Sequence, residues 1–348
     1  MSIALYPLKF KPRYLEKMWG GRKIETVLGK PLPPGKLIGE SWELCDFPPG
    51  VVDNSADWIS SVVADGPLAG RTLHQLVGEF GRQLHGDVPL VGAAGQFPIL
   101  IKFLDARQDL SVQVHPDRPY AAAHPEAHLK SEAWYIVQAD PGSRLLKGLA
   151  PGTTREAFSA AVASGNVESL IQSVPVREGD CYYLPSGTLH ALGAGILAAE
   201  VQTPSDTTFR VFDFNRIDPS TGQPRKVHVE KALECIDFSG SGKPKAAGPR
   251  LVECEYFTIE KKTARAGDTG SIDSSGPVVW IMLRGHAQLK AEDQAIATGM
   301  RPGETVLLPA VMKQPWRRHL TDCEWLEVGL PQSIHSPNNS DEPRRPRR

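Results

Sequence analysis

The chain of 348 residues carries 39 basic and 40 acidic side chains, a balance that leaves no electrostatic footprint for nucleic acid or a membrane surface. No window approaches the roughly 18 apolar residues of a membrane span, and the start, MSIALYPLKFKPRYLEK, has no apolar run of the secretory kind. The five cysteines (Cys45, Cys181, Cys235, Cys254, Cys323) are scattered, with no Cys-x-x-Cys spacing, which points to reduced thiols and a cytoplasmic protein.

With 32 glycines and 30 prolines, the composition favours many short strands and turns, in a length that suits about two domains. In GESWELCDF, Ser41, Glu43 and Cys45 alternate with Trp42, Leu44 and Asp46, the period of a strand. Residues 71–86 place Leu73, Leu76, Val77, Phe80 and Leu84 at helical spacing, so a surface helix ending near Gly86 is expected. FPILIKFLDARQDLSVQVHP (97–116) reads as two strands joined at Asp105–Asp109. Side chains alternate along a strand, so Ser111, Gln113 and His115 share one face and Val112 and Val114 the other. KSEAWYIVQA (130–139) is a further strand, with Lys130, Glu132 and Trp134 on one face.

Residues 154–174 read as two short helices, the first capped by Thr153 or Thr154 and broken near Gly165-Asn166. The stretch REGDCYYLPSGTLH (177–190) is a short strand stopped by Pro185, then a tight Ser186-Gly187 turn that presents His190. Taken alone it is equally a hairpin with a surface histidine. Two strands carrying Glu200 and Arg210 follow, and 226–238 reads as a helix leaving the first domain.

From about residue 250 a second β unit echoes the first. RPGETVLLPAVMKQ (301–314) aligns with REGDCYYLPSGTLH, matching Gly303 to Gly179 and Pro309 to Pro185, with Gln314 at the histidine position. VVWIML (278–283) aligns with EAWYIV (132–137), with Val278 where the first copy has Glu132. The expected architecture is therefore mainly β: two copies of one β module, the first over 1–240 and a degenerate second over 250–332. The polar, proline-rich segment 336–348 reads as a disordered tail.

Gln113 and His115, Glu132, and His190 come from three separate strands of the first module. They form a nitrogen and oxygen donor set that suits Zn²⁺ and would also accept Mn²⁺, Fe²⁺ or Co²⁺. A glycine, five residues, Pro-x-Gly, two residues and a histidine resembles the second metal motif of the cupin superfamily, which implies two cupin-like β-barrel (jelly-roll) modules with the metal in the first. GESWE, FPILIKFLDARQDLSVQVHP, KSEAWYIV, LPSGTLHALGAGI and SDTTFRVFDFNR together resemble the type I phosphomannose isomerases of the shorter bacterial kind, strongly over about residues 5–240.

That resemblance implies a zinc enzyme interconverting mannose 6-phosphate and fructose 6-phosphate, with the metal on Gln113, His115, Glu132 and His190. It places the active-site arginine on Arg210 and substrate-contacting groups on Lys102, Ser111, Lys130, Glu200 and Asp206. The base is left open between Glu200, Lys130 and a water on the metal. The partner is a small sugar phosphate, and the chain is expected to be a monomer or weak homo-oligomer. The family's larger members carry a long helical insertion that this chain lacks. A metal cupin oxidoreductase using Fe²⁺ and O₂ is a competing reading, disfavoured by the basic residues. A non-catalytic sugar-phosphate-binding module is another, disfavoured because all four metal-ligand candidates are present.

Overall fold

The computed structural model describes residues 4–52, 55–219, 221–239, 248–272, 276–292, 294–295 and 297–331. The segment 336–348, expected to be a disordered tail, lies outside the described residues. Two pairs of facing antiparallel sheets dominate. The first pair joins a six-stranded sheet (Arg13–Gly21, Ile38–Leu44, Leu100–Ala106, Glu132–Ala139, Cys181–Leu184 and Ile196–Gln202) to a five-stranded one. The five-stranded sheet is ordered Ile171–Pro175, Arg144–Leu149, His190–Leu192, Val112–Val114, Phe209–Phe212. The second pair is six-stranded and four-stranded. These are jelly-roll modules of facing sheets with open edges, not closed barrels.

The largest apolar cluster lies between the two six-stranded sheets. Phe103, Tyr135 and Ala199 enter it from one and Ile259, Ile281 and Leu326 from the other. That leaves the opposite face of the first six-stranded sheet free to line a cavity. Two further links tie the modules. Leu8–Lys9 pairs with Leu307 and Val306, so the N-terminal segment adds an edge strand to the second module's sheet. Lys30, buried beside that edge, bonds Glu43 at 2.8 Å and the carbonyl of Gly303 at 2.7 Å. Ser41 Oγ donates to the other oxygen of Glu43.

The echo between the modules is a register identity. Trp134 pairs with Tyr182 and Trp280 with Val306. The N–H of Gly179 donates to Ile136 at 2.9 Å, and that of Gly303 to Met282 at 2.8 Å. Both glycines have positive φ, 86° and 77°, where an L side chain is strained. The histidine position differs from the sequence alignment. Gln314 is exposed, has φ 40° and precedes the strand Trp316–His319. Leu192 and His319 each end a strand that turns into a central one. Matching them puts Arg317, not Gln314, opposite His190.

The helix expected over 71–86 is present in two pieces, Leu73–Phe80 and Arg82–His85, divided by Gly81 at φ 50°. Thr72 and Gln75 form a capping box at its start. Thr154 caps Arg155–Ser164, which ends at the left-handed Gly165. The second helix expected before residue 174 is absent. Only a 3₁₀ turn, Val167–Leu170, forms, and Ile171–Pro175 becomes an edge strand on Arg144–Leu149. An open sheet edge outcompetes weak local helical preference there, and Pro175 at the strand end needs no ladder donor.

Lys30→Met is expected to cost roughly 3–5 kcal/mol in denaturant unfolding, because it strands the Glu43 carboxylate in the interior. Combining it with Glu43→Leu should recover much of the loss. A single substitution with no effect would show that the pair is dispensable.

Candidate metal centre and its cavity

The Pro185 turn fixes one half of the centre. Thr188 N–H bonds back to Pro185 O at 3.0 Å, and Gly187, at φ 84°, sits at the turn position that needs a left-handed residue. The freed Gly187 N–H donates to His115 O at 3.0 Å, so the turn that precedes His190 also holds the backbone of His115. A Cβ on Gly187 would lie 3.1 Å from Cys235 O. Strand pairing then sets His190 opposite Gln113 and Glu132 opposite Leu184.

The side chains converge. Candidate ligand atoms of His115, Glu132 and His190 all lie within 4.8 Å of one another, and all three residues are buried. Glu132 Oε1 is 3.0 Å from His190 Nε2, and Oε2 is 3.4 Å from His115 Nε2. Each imidazole is oriented through its other nitrogen: His115 Nδ1 lies 3.0 Å from Thr207 O and His190 Nδ1 2.8 Å from Thr188 O. Those carbonyls make Nδ1 the donor and leave the Nε2 lone pairs facing Glu132. His115 Nε2 and Glu132 Oε1 are buried without a hydrogen-bond partner, and Glu132 Oε2 meets the Lys130 ammonium. Buried polar atoms are normally satisfied, so this inward-facing set of lone pairs fits a cation. Gln113 Nε2 faces His190 Nε2 at 3.3 Å, and a half-turn of its amide would bring Oε1 to the same place.

Charge compensation surrounds the carboxylate. Lys130 Nζ is 3.0 Å from Glu132 Oε2. Burial alone would raise the Glu132 pKa, but Lys130 and the two imidazoles hold it well below the usual carboxylate range. Burial, followed by Lys130, pushes His115 down to about 3. It stays neutral, as a metal-binding imidazole must.

Beside this cluster is a cavity of about 260 Å³. Lys102, Ser111, Gln113, Lys130, Glu200, Asp206 and Arg210 all line it, so the structure gathers every sequence-predicted site residue into one place with His115, Glu132 and His190. Lys102 lies between Glu200 at 2.8 Å and Glu40 at 3.5 Å. Burial would lower its pKa, and the two carboxylates reverse that to a raise. Glu200 also accepts from Trp134 Nε1 at 2.9 Å. Burial, offset in part by Lys102 and reinforced by Glu132, pushes it up to about 7. Burial also raises Asp206.

Sequence reading missed Lys17, Glu40, Arg225 and His228, which line the same cavity. Glu40 was within reach, since it precedes the Ser41–Asp46 alternation and shares its face with Trp42, whose indole donates to it at 2.8 Å. Arg225 and His228 sit in a basic run, PRKVH, between a strand and a helix, where no periodicity marks them. Asp213 anchors Arg225 through two contacts, at 2.8 and 2.5 Å, and Arg216 bonds the same carboxylate. Arg210 bonds Lys226 O at 2.8 Å, while its buried Nε lacks a partner.

Among the described residues no helix is long and apolar enough to cross a membrane. Residues 8–141 match the phosphomannose isomerase type I catalytic domain. A mannose-6-phosphate isomerase of Streptococcus mutans is 33% identical over 319 residues, covering 88% of this chain and 93% of the relative. One from Bacillus subtilis is 36% identical over 265 residues, covering 73% and 78%. The crystal structure of a mannose 6-phosphate isomerase from Bacillus subtilis superposes with a TM-score of 0.80 at 29% identity, covering 94% of this chain and 100% of that one.

Gly187→Ala is expected to cost about 1–3 kcal/mol of stability, through left-handed strain and the close approach to Cys235 O. His190→Ala should remove tightly bound divalent metal while the chain stays folded. Elemental analysis beside circular dichroism checks both; undiminished metal content in the His190 variant would break the assignment.

Proposed function

The chain belongs to the type I phosphomannose isomerase family, a family of aldose-ketose isomerases, and on that premise we propose that it interconverts D-mannose 6-phosphate and D-fructose 6-phosphate at a zinc site. The observation that carries the reading is the juxtaposition of the His115–Glu132–His190 cluster with a cavity whose polar lining is mostly cationic and carboxylate. The iron oxidoreductase reading predicts an apolar, uncharged lining and loses to the lysines and arginines. A purely binding module has no need of a buried carboxylate held beside the cluster.

His115, Glu132 and His190 would hold the ion, with Gln113 as the fourth donor after its amide turns. A divalent ion there supplies Lewis acidity toward the sugar oxygens and charge stabilisation for an enediolate. The remaining chemistry belongs to the side chains. Isomerisation removes the proton from C2 of the open-chain aldose and delivers it to C1. Glu200 is the base and acid of choice: its carboxyl titrates near neutrality, where a group can both take and return a proton. Trp134 and Lys102 fix its orientation, at 2.9 and 2.8 Å. Lys130 lines the cavity beside Glu132 and can donate to the oxygen that gains charge. Ser111 and Asp206 present hydrogen-bonding groups for the sugar hydroxyls.

The phosphate belongs at the arginine end. Arg210 and Arg225 both line the cavity, and a guanidinium offers a bidentate donor pair matched to phosphate oxygens. Burial, then the neighbouring Arg225, lowers the Arg210 pKa, and Asp213 opposes the shift. Asp213 keeps Arg225 in place without reaching the cavity lining itself.

A coupled assay with mannose 6-phosphate should show turnover that chelation abolishes and added Zn²⁺ restores. Glu200→Gln should lower kcat by about a thousandfold or more while leaving metal content intact. No turnover by the metal-loaded wild type would end the isomerase reading. Arg225→Ala is expected to raise KM for mannose 6-phosphate by about 10- to 100-fold, equivalent to losing a charge-assisted pair. Gln314→Ala should leave both constants near wild type. Equal KM values for wild type and the Arg225 variant would move the phosphate elsewhere.

A further inference from the structure

The strand Phe209–Phe212 is an edge of the five-stranded sheet, and the irregular segment before the helix Val229–Cys235 closes that edge at Arg210. His228 N–H donates to Arg210 O at 2.7 Å, and Arg210 N–H donates back to His228 Nδ1 at 3.2 Å. Arg210 Nη1 donates to Lys226 O at 2.8 Å. The segment thus stands in for a ladder partner. In doing so it carries Arg225 and His228 to the part of the catalytic cavity that Arg210 lines.

The backbone contact also fixes the imidazole. A ring nitrogen that accepts an amide N–H carries no proton of its own, so the neutral ring holds its proton on Nε2. Burial first, then Arg210, Lys226 and Lys231, lowers the His228 pKa, which keeps the ring neutral at neutral pH. Its Nε2–H meets no hydrogen-bond partner among the described residues, and unlike Arg210 Nε it is not sealed in the interior. An oriented, unspent and accessible donor on a cavity wall is available to a ligand. The surrounding charge says which ligand. Arg210 and Arg225 line the cavity with His228, while the Asp213 carboxylate is taken up by Arg225 and Arg216. Two guanidinium groups and a neutral N–H converging on one place suit a group with several acceptor oxygens and a double negative charge.

We propose that His228 Nε2–H donates to the substrate's phosphate, as a third donor beside Arg210 and Arg225, and so helps the cavity select phosphorylated over unphosphorylated sugars. The inference rests on the isomerase reading for the identity of the substrate; the phosphate contact itself does not depend on turnover. A purely structural role, in which His228 only holds the Arg210 backbone, is separable from it. In His228→Asn the asparagine Oδ1 can still accept the Arg210 N–H, while nothing occupies the place of Nε2.

The test titrates inorganic phosphate into the zinc-loaded full chain, followed by calorimetry and by nitrogen-15 spectra of labelled histidine. The free wild type should show His228 as the tautomer protonated on Nε2, and phosphate should shift that resonance. The Kd for phosphate should rise about tenfold in both His228→Asn and His228→Ala, the loss of one hydrogen bond to a charged group. KM for mannose 6-phosphate should rise by a similar factor, with kcat changing less. A His228→Asn variant with wild-type phosphate affinity and KM would overturn the contact and leave His228 as a support for Arg210. A His228 resonance indifferent to saturating phosphate would overturn it as well. A wild type that binds phosphate through His228 yet turns over no mannose 6-phosphate would end the isomerase reading and leave the contact standing. Turnover by wild type and His228→Asn with equal KM values would do the reverse.

Discussion

Everything at the centre follows from one buried carboxylate. Glu132 is fully buried, on a central strand, where an uncompensated negative charge would cost several kcal/mol or more. The chain surrounds it with Lys130 two residues earlier and with two imidazoles carried by other strands. Each imidazole needs its own orienting carbonyl, so the Thr188 and Thr207 segments are fixed as well. The demand propagates outward: the His115 backbone leans on Gly187, and the turn that frees Gly187 must follow Pro185. A cation in this ring would satisfy the lone pairs of His115 Nε2 and Glu132 Oε1, which no protein donor meets.

A second constraint is that the cavity beside the centre alternates charge along one line. Lys17, Glu40, Lys102 and Glu200 follow one another at 3.3, 3.5 and 2.8 Å. Lys102 shares its positive charge between two carboxylates. Glu40 sits at about 2, where burial is outweighed by Lys102 and Lys17, while Glu200, where burial and the neighbouring Glu132 outweigh Lys102 and Lys130, sits at about 7. Two glutamates on one cavity thus differ in protonation because of their neighbours, not their type.

What the sequence made legible was whatever a local period or a fixed spacing encodes. Period-two alternation placed Ser111, Gln113 and His115 on one face and Lys130, Glu132 and Trp134 on another, and the structure keeps both sets. The Gly-x₅-Pro pattern located two equivalent hairpins, because a positive-φ glycine leaves the same mark in each copy. Positions set by non-local pairing were not legible. Ile171–Pro175 looked helical until a sheet edge claimed it. Arg317 could not be matched to His190 without knowing where the strand begins. Arg225 and His228 reach the cavity from an irregular segment, and only the fold brings them to Arg210.

The short strand Leu8–Lys9 carries a consequence for how the chain is made. It completes the edge of a sheet whose partner strand, Thr305–Leu308, lies far along the chain from it. Leu8 and Lys9 must therefore wait for that strand until residues 305–308 have been made. Loop closure over that span adds only slowly to the entropic cost, but it makes the contact among the last to form. The arrival of residues 305–308, not completion of the metal-binding module, then sets when this strand pairing forms.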